Sequence, residues 1–276
     1  MIEYPEAFTI ARQIDKELSG KKVASCTRGN SPHKFAMYNR EPGEFEKQFT
    51  GATFQKTYNH HCLIFTQLDN GLIFVLGEGG EKILLHNDKS TIPKKHQLLL
   101  GFDDGRFLSV SISGWGFVSL YAKEEIEKNA FLSRKRLDPL VKDFTLENFK
   151  ALFEAEPKNP SIKYFLVSEP GISGVGNGMC QEILFEAKLH SKTKIKSMSA
   201  EDISNLHKAT AKVVSCACEL GGRDTETDIF GNPGGYNAIM NAKNLGAPCP
   251  NCGTPIERIA WLGGNCYFCP SCQKIK

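Results

Sequence analysis

Four cysteines near the end of the chain occur as two C-x-x-C pairs, Cys249/Cys252 and Cys269/Cys272, separated by sixteen residues. This spacing is typical of a four-thiolate zinc site, in which each pair forms a tight turn that presents two sulfurs. Because the protein supplies all four ligands, no coordination position is left for water, and we predict one structural Zn2+. The alternative, four unrelated free thiols, is disfavoured by the spacing.

The stretch between the two cysteine pairs, Pro255 to Phe268, has the length of one β-hairpin. So small a segment cannot bury a core of its own, and a bound metal would supply much of its folding energy. We therefore predict a zinc finger over residues 246–276.

A second candidate site is the turn Gly174-Val175-Gly176-Asn177, which we predict to join two helices. Glycines let backbone N–H groups point outward at the start of the next helix, an arrangement that binds phosphate. Asn177 adds a side-chain donor, and Lys163, one helix upstream, could reach the same phosphate. A plain structural turn is an equal alternative. Four lysines follow, which we interpret as a solvated face: Lys188, Lys192, Lys194 and Lys196.

The composition is that of an ordinary globular protein, with 276 residues, 41% hydrophobic and 24% charged. A net charge of +3 is too small to indicate nucleic-acid binding by itself. We expect no signal peptide, no membrane-spanning segment and no membrane partner. The other six cysteines are scattered, so we expect a cytoplasmic protein, associated with the nucleoid if bacterial.

The first half of the sequence predicts a helix followed by β-structure. Residues from Glu6 to Leu18 have apolar side chains at helical spacing, and Gly20 ends the helix. Short strands at regular intervals, with turn signals at 69–71 and 103–105, favour a sandwich or barrel. The predicted strands are Lys21–Thr27, Thr53–Tyr58, Cys62–Leu68, Leu72–Leu76, Lys82–His86, Gln97–Phe102 and Arg106–Ile112.

The second half predicts helices after a linker at 134–139. One helical face runs from Leu146 to Phe153, and a helix over Ile162–Val167, capped by Ser161, would end at Glu169-Pro170. Two more helices are predicted, one over Met179–Ala187 and a long one capped by Ser199 and ended by Gly221-Gly222.

This order of elements resembles the formamidopyrimidine-DNA glycosylase / endonuclease VIII (Fpg/Nei) family over the whole chain. The resemblance implies an α+β multidomain fold: an N-terminal helix and β-sandwich (1–130), a helix–two-turn–helix DNA-binding domain (131–245) and the zinc finger (246–276). The positions that carry it are Glu3, Pro5-Glu6, Gly174–Asn177 with Glu182, Cys249–Arg258 and Phe268–Gln273.

The resemblance implies repair of damaged DNA. Members of the family flip a damaged base out of the duplex, cut its glycosidic bond and cleave the strand at the abasic site. The family's nucleophile is the α-amine of a proline exposed by removal of the initiator methionine, and the adjacent glutamate, here Glu3, handles protons. The segment from Gly221 to Tyr236 is expected to shape the base pocket.

The position of the nucleophile is where this chain departs most from the family, because Ile2 replaces the proline. Removal of methionine generally requires a small second residue, so we expect Met1 to stay. The free amine would then be displaced by about 3.3–3.6 Å, although reacting atoms must lie within about 3–3.5 Å. Glu3 keeps its register; an ordinary glutamate in a first helical turn is an equal alternative.

Three DNA-contacting positions of the family also differ. His61 replaces the sandwich lysine, either as a weaker phosphate donor or as a buried histidine. Gly264 replaces the finger arginine, which removes a bidentate phosphate contact that Asn265 would replace in part. Glu78 replaces the methionine that fills the gap in the duplex, and a carboxylate is a poor wedge between stacked bases.

The segment Ser113-Gly114-Trp115-Gly116-Phe117 corresponds to the family's loop that enters the duplex with an arginine and a phenylalanine. Phe117 matches, and Trp115 replaces the arginine. Aromatic side chains stack in the gap left by an extruded base, and the flanking glycines predict a mobile, exposed tip. We prefer this wedge role for Trp115 to the alternative in which it packs against the sandwich.

Two hypotheses stay open. The first is a DNA N-glycosylase of base excision repair whose lyase step lacks its usual nucleophile; the second is a catalytically inactive paralogue that recognises damaged, abasic or kinked DNA. A zinc module that binds protein has little support. We expect a monomer bound to damaged or abasic double-stranded DNA, with these contacts: His61, Trp115, Phe117, Lys163, Asn177 and Asn265.

Overall fold

A computed structural model of the protein describes residues 1–31, 33–168 and 171–276, and the predicted helix end at Glu169-Pro170 lies outside these ranges. The chain forms two compact units. The first comprises Met1–Lys135 with Leu220–Gly235, and the second comprises Arg136–Glu219 with Tyr236–Lys276.

The first unit is a β-sandwich with an N-terminal helix. A four-stranded sheet has the order β1-β7-β8-β6, and a five-stranded sheet has the order β2-β9-β5-β4-β3. The seven predicted strands are confirmed to within two residues at each end; β2 and β9 were not predicted. The strands are Val23–Thr27 (β1), Ala36–Met37 (β2), Phe54–His60 (β3), Leu63–Leu68 (β4), Leu72–Gly77 (β5), Glu81–His86 (β6), Leu98–Phe102 (β7), Phe107–Ile112 (β8) and Gly116–Ala122 (β9).

Helix α1 spans Tyr4–Leu18 and begins two residues before the predicted start at Glu6. The earlier start is possible because Pro5 lies in the first turn, where its missing N–H has no partner to lose. The apolar residues at helical spacing are buried as the pattern predicts, and Ile2 joins the same core. Two further helices of this unit are Pro42–Phe49 (α2) and Lys123–Lys128 (α3).

The segment Leu220–Gly235 belongs to the first unit, although the predicted domain boundaries place it with the helical domain. The Asp228 carboxylate accepts a hydrogen bond of 3.0 Å from the Gln13 side chain, and the Ile229 carbonyl accepts one of 2.7 Å from the backbone of Leu85. These contacts bring residues of α1 and β6 together with a segment more than 140 positions away, which local sequence patterns do not predict.

In its described residues, the second unit contains four α-helices and the terminal hairpin. Ser161 caps α5 and Ser199 caps α7 through their side-chain oxygens, as predicted. The helices are Leu146–Ala155 (α4), Ile162–Val167 (α5), Asn177–Glu186 (α6) and Ala200–Glu219 (α7), and the hairpin strands are Glu257–Trp261 (β10) and Gly264–Phe268 (β11). Within the described ranges, no helix has the length and apolarity that a membrane span requires.

Helix α6 organises the second unit through two buried polar side chains. Gln181 accepts a hydrogen bond of 2.6 Å from the backbone N–H of Tyr267 in β11, so the hairpin is docked directly on the helix. The Glu182 carboxylate accepts bonds of 2.6 and 3.1 Å from the backbone N–H groups of Met240 and Ile239. The segment that precedes the cysteines is thereby fixed to the same helix.

Candidate functional site

The position of the family's nucleophile is occupied by a buried side chain. Ile2 is 3% exposed and belongs to the hydrophobic core of the sandwich. Its backbone N–H donates a hydrogen bond of 2.8 Å to the carbonyl of Gly79. Ile2 therefore anchors the N-terminal segment to the sandwich.

Glu3 is held by a buried arginine. The Arg223 Nη1 lies 3.1 Å from a Glu3 carboxylate oxygen, while Nε and Nη2 donate bonds of 3.0 and 2.8 Å to Glu6. The side chains of Arg223, Glu3 and Glu6 are at most 5% exposed. Burial alone would raise the pKa of Glu6, but the charge and hydrogen bonds of Arg223 outweigh burial and lower it. Arg223 thus ties both carboxylates, those of Glu3 and Glu6, into one buried cluster.

The first residue of the chain joins the same network. The Met1 carbonyl accepts a bond of 2.9 Å from Arg223, and the Met1 α-amine lies 2.6 Å from a carboxylate oxygen of Glu226. The Met1 side chain is 43% exposed, so this end of the network meets solvent. We define the N-terminal clamp as Met1, Glu3, Glu6, Arg223 and Glu226.

Sequence reasoning did not identify Arg223 as part of this site and expected the segment from Gly221 to Tyr236 to shape a base pocket. No short motif links Arg223 to residues 220 positions earlier. Glu6 did carry a signal, because it lies three residues after Glu3 and its carboxylate accepts a hydrogen bond from the N-cap backbone N–H. That Glu3 N–H···Glu6 bond measures 3.0 Å and is typical of helix N-termini.

Glu78, at the position where the family fills the gap in the duplex, is paired with a residue of the same unit. Arg134 Nη2 donates bonds of 2.8 and 3.0 Å to the two carboxylate oxygens of Glu78, and its guanidinium lies 3.9 Å above the ring of Phe131. His61 is buried, and its Nε2 lies 2.8 Å from the Arg134 carbonyl. This geometry suits the alternative in which His61 is a buried histidine. Its contact with a phosphate stays a prediction.

The aromatic residues of the wedge loop have different surroundings. Trp115 is 39% exposed at the turn between β8 and β9, whereas Phe117 is 8% exposed and stacks on Phe131 with ring centres 5.4 Å apart. Of the two aromatic residues in this turn, Trp115 is therefore the one presented to solvent. Phe117 is buried against Phe131 under the turn. Its insertion into DNA stays a prediction and would require a rearrangement.

In the second unit, the predicted phosphate contacts lie at the turn of the terminal hairpin. Lys163 is 3% exposed and donates a bond of 2.7 Å to the Trp261 carbonyl, and its contact with a phosphate stays a prediction. The amide of Asn177 lies 3.6 Å from where a Cβ on Gly264 would stand. Among the described residues the Asn177 Oδ1 has no hydrogen-bond partner. Asn265, which follows Gly264 in the chain, is exposed.

The four predicted zinc ligands converge. The ligand sulfurs of Cys249, Cys252, Cys269 and Cys272 all lie within 4.8 Å of one another, with three pairs at 3.4–3.9 Å. A tetrahedral Zn2+ with Zn–S bonds of about 2.3 Å requires sulfurs about 3.8 Å apart. The arrangement therefore fits one zinc ion with four thiolate ligands, which leaves no position for a catalytic water.

Known proteins resemble this chain along its whole length. Two sequence profiles match: the formamidopyrimidine-DNA glycosylase N-terminal domain over residues 1–111 and the formamidopyrimidine-DNA glycosylase H2TH domain over residues 136–228. Formamidopyrimidine-DNA glycosylase of Desulforamulus reducens is 29% identical over 283 residues and covers 100% of both chains. The protein of that name from Streptococcus pneumoniae strain R6 is 28% identical over 281 residues and covers 99% of both.

Solved structures share the fold. Fpg of Lactococcus lactis in complex with DNA containing an abasic site superposes with a TM-score of 0.85 at 23% identity, over 99% of each chain. MutM in complex with DNA containing carbocyclic 8-oxo-G gives a TM-score of 0.84 at 22% identity, again over 99% of each chain.

Proposed function

Because this chain belongs to the formamidopyrimidine-DNA glycosylase family, we propose that it recognises damaged or abasic sites in double-stranded DNA without nucleophilic chemistry at Ile2. The observation that carries this proposal is the N-terminal clamp. Ile2 is packed in the core and Glu3 is paired with Arg223, so the residues at the two positions that the family uses for chemistry make structural contacts here.

Release of Glu3 for proton transfer would be costly. Separating a buried carboxylate from its cationic partner destabilises the fold by about 3–5 kcal/mol, because both charges are left buried without a partner. Such a cost would act against general acid–base catalysis, which depends on a carboxylate free to exchange protons with the substrate. The clamp therefore supports recognition as the function that the geometry favours.

Recognition would depend on Trp115 in the first unit and on the polar turn in the second. An exposed indole has the shape and flat face to stack where a base is missing, a contact worth about 1–3 kcal/mol per base. Asn177 and Asn265 offer side-chain donors to the phosphate backbone. A zinc ion held by the four cysteines would stabilise the hairpin that carries Asn265.

A second candidate function, base excision with a Schiff-base step, is favoured by one observation. The Met1 α-amine is at the half-exposed end of the clamp, 2.6 Å from the Glu226 carboxylate, which would accept its proton. The neutral amine would attack the sugar carbon of an abasic site, with loss of water to form an imine. This alternative keeps the family's chemistry and moves it by one residue.

Binding is tested with fluorescence anisotropy on three duplexes of one sequence, which contain an intact pair, a tetrahydrofuran abasic analogue or a natural abasic site. We expect tighter binding to both abasic duplexes than to the intact one, and a steep loss of affinity with rising salt. Equal affinity for the three duplexes would refute damage recognition. Binding that does not depend on salt would refute contact with phosphates.

Chemistry is tested by borohydride trapping on the duplex with the natural abasic site, at protein concentrations that saturate binding. We expect no covalent adduct. An adduct located at Met1 by mass spectrometry, and lost in Glu226→Gln, would favour the second candidate. Lys47→Gln, an exposed lysine far along the sequence from the clamp, is the control for adducts formed by surface amines.

A further inference from the structure

We propose that Glu81 is a positioning residue that fixes the Trp115 turn to the N-terminal segment, and that discrimination of abasic from intact duplexes depends on it. This inference rests on the proposed damage recognition and names a residue for which neither the sequence pattern nor the family resemblance predicts a role.

The carboxylate of Glu81 bridges two turns of the backbone. Its Oε2 accepts a hydrogen bond of 2.9 Å from the Gly79 N–H, and its Oε1 accepts one of 2.9 Å from the Phe117 N–H. The side chain is 7% exposed, so water does not substitute readily for these bonds. Each carboxylate oxygen accepts one of the two N–H groups, whereas a glutamine amide has one oxygen and would place its NH2 group against the other N–H.

The two turns that Glu81 bridges are also joined directly. The Gly80 N–H donates a bond of 2.9 Å to the Trp115 carbonyl, and the Ser113 N–H donates one of 2.8 Å to the Gly80 carbonyl. We call residues 78–81 and 113–117 the paired turns. The backbone of Trp115 is thus fixed on both sides while its side chain stays exposed.

Glycines make this approach possible. A Cβ on Gly79 would lie 1.7 Å from the Trp115 carbonyl oxygen, and a Cβ on Gly80 would lie 1.8 Å from the Ser113 carbonyl oxygen. A Cβ on Gly116 would lie 2.1 Å from Oε1 of Glu81. The glycine after Trp115, which the sequence analysis associated with a mobile tip, instead makes room for the carboxylate that anchors the tip.

The paired turns are continuous with the N-terminus. The Gly79 carbonyl accepts the hydrogen bond from the Ile2 N–H, so bonds run from Ile2 through Gly79 and Glu81 to Phe117. A turn held in this way has little conformational entropy to lose when its tip enters a gap in a duplex. Loss of the Glu81 bridge would weaken binding to the gap, where Trp115 acts, more than binding to intact duplex.

The experiment is a double-mutant cycle with wild-type protein, Glu81→Gln, Trp115→Ala and the double variant, each measured on the tetrahydrofuran and intact duplexes. All measurements are made at about pH 8.5, because burial raises the pKa of Glu81 to about 7 and the carboxylate is ionised above it. Discrimination is the ratio of the two Kd values. We expect both single variants to discriminate less than the wild type. The double variant should discriminate as well as Trp115→Ala alone. Wild-type discrimination in Glu81→Gln, or effects that multiply fully in the double variant, would overturn the proposal.

Glu124→Gln is the matched control, because it removes an exposed carboxylate from α3 without touching the paired turns. We expect it to keep wild-type discrimination. If Glu81→Gln does not fold, Glu81→Asp takes its place, since the shorter side chain cannot span both N–H donors and keeps the charge.

A measurement without DNA separates this proposal from the proposed function. In a Trp261→Phe background the remaining tryptophan is Trp115, and its time-resolved anisotropy reports motion of the turn. We expect faster depolarisation and stronger acrylamide quenching in Glu81→Gln than in its parent. Unchanged values would overturn the positioning role; changed values in a protein that does not discriminate abasic DNA would overturn the recognition instead.

Discussion

The Nη1 of Arg223 lies 3.1 Å from the Glu3 carboxylate, and each side chain is at most 5% exposed. Burial alone would lower the pKa of Arg223, but the charges of Glu3 and Glu6 outweigh burial and raise it. The pair joins the first turn of α1 to the segment that follows α7 in the sequence. Removal of this pair should therefore lower the stability of the whole first unit.

Arg223→Met should lower the free energy of unfolding by about 3–5 kcal/mol, because it leaves two buried carboxylates without their cation. Urea denaturation at neutral pH measures the change. Arg12→Met, on the exposed face of α1, is the control and should cost at most about 1 kcal/mol. Similar losses in the two variants would show that the clamp contributes little.

The stability of the protein should depend on pH through Glu81. Burial raises the pKa of Glu81 from 4.5 to about 7. The native state then holds a proton that the unfolded chain releases, so the contribution of Glu81 is greatest below pH 4.5 and is lost as pH rises through about 7. The difference corresponds to about 3 kcal/mol.

This contribution is isolated by comparing wild-type protein with Glu81→Gln, because groups such as Glu6, whose lowered pKa gives the opposite trend, are common to both. We expect the unfolding free energy of the wild type, relative to the variant, to fall as pH rises from 4.5 to 7.5. Parallel pH profiles would mean that Glu81 titrates at its ordinary pKa.

Cys269→Ser should abolish zinc binding and unfold the terminal hairpin, since one ligand of four is lost and the hairpin has little core of its own. Zinc content by mass spectrometry and DNA affinity by anisotropy should fall together. Cys266→Ser is a matched control in the same hairpin: Cys266 is buried but does not belong to the four-sulfur cluster. Retention of one zinc per chain in Cys269→Ser would contradict the predicted ligand set.

Ile2→Pro restores the residue that the family uses as nucleophile, yet it should not restore a borohydride adduct. The new proline would lack the core contacts of Ile2, and Glu3 would still be paired with Arg223. Intact mass must first show that Met1 is removed. Trapping of an abasic duplex by Ile2→Pro alone would show that the clamp does not prevent the chemistry, whereas trapping only with Arg223→Gln added would identify Arg223 as the block.

Much of the fold is predictable because its signals are local. Apolar spacing predicts α1, turn residues at 69–71 and 103–105 predict hairpins, and Ser199 marks the start of α7. Helix α2 carried such a signal as well, with Pro42 in its first turn and buried Phe45 and Phe49 at helical spacing, and it was missed. The two-residue strand β2 is too short for any period to show.

The candidate site is less predictable because its decisive contacts are distant in the sequence. The cysteine spacing predicts a zinc site since both pairs form local turns. Nothing local connects Arg223 with Glu3, or Glu81 with Phe117, and these contacts exist only after the sandwich has formed. Substitutions at family positions predict a change in the chemistry, and the three-dimensional arrangement shows which contacts the residues at those positions make.

The close approach of the paired turns has a practical consequence for protein engineering. Gly79, Gly80 and Gly116 leave no room for a side chain, whereas the side chain at 115 points away from this contact into solvent. The backbone of the turn is fixed by close contacts, whereas the side chain at position 115 is free to vary in size and shape. A small library at position 115, with the glycines left untouched, would vary the shape offered to DNA without rebuilding the loop.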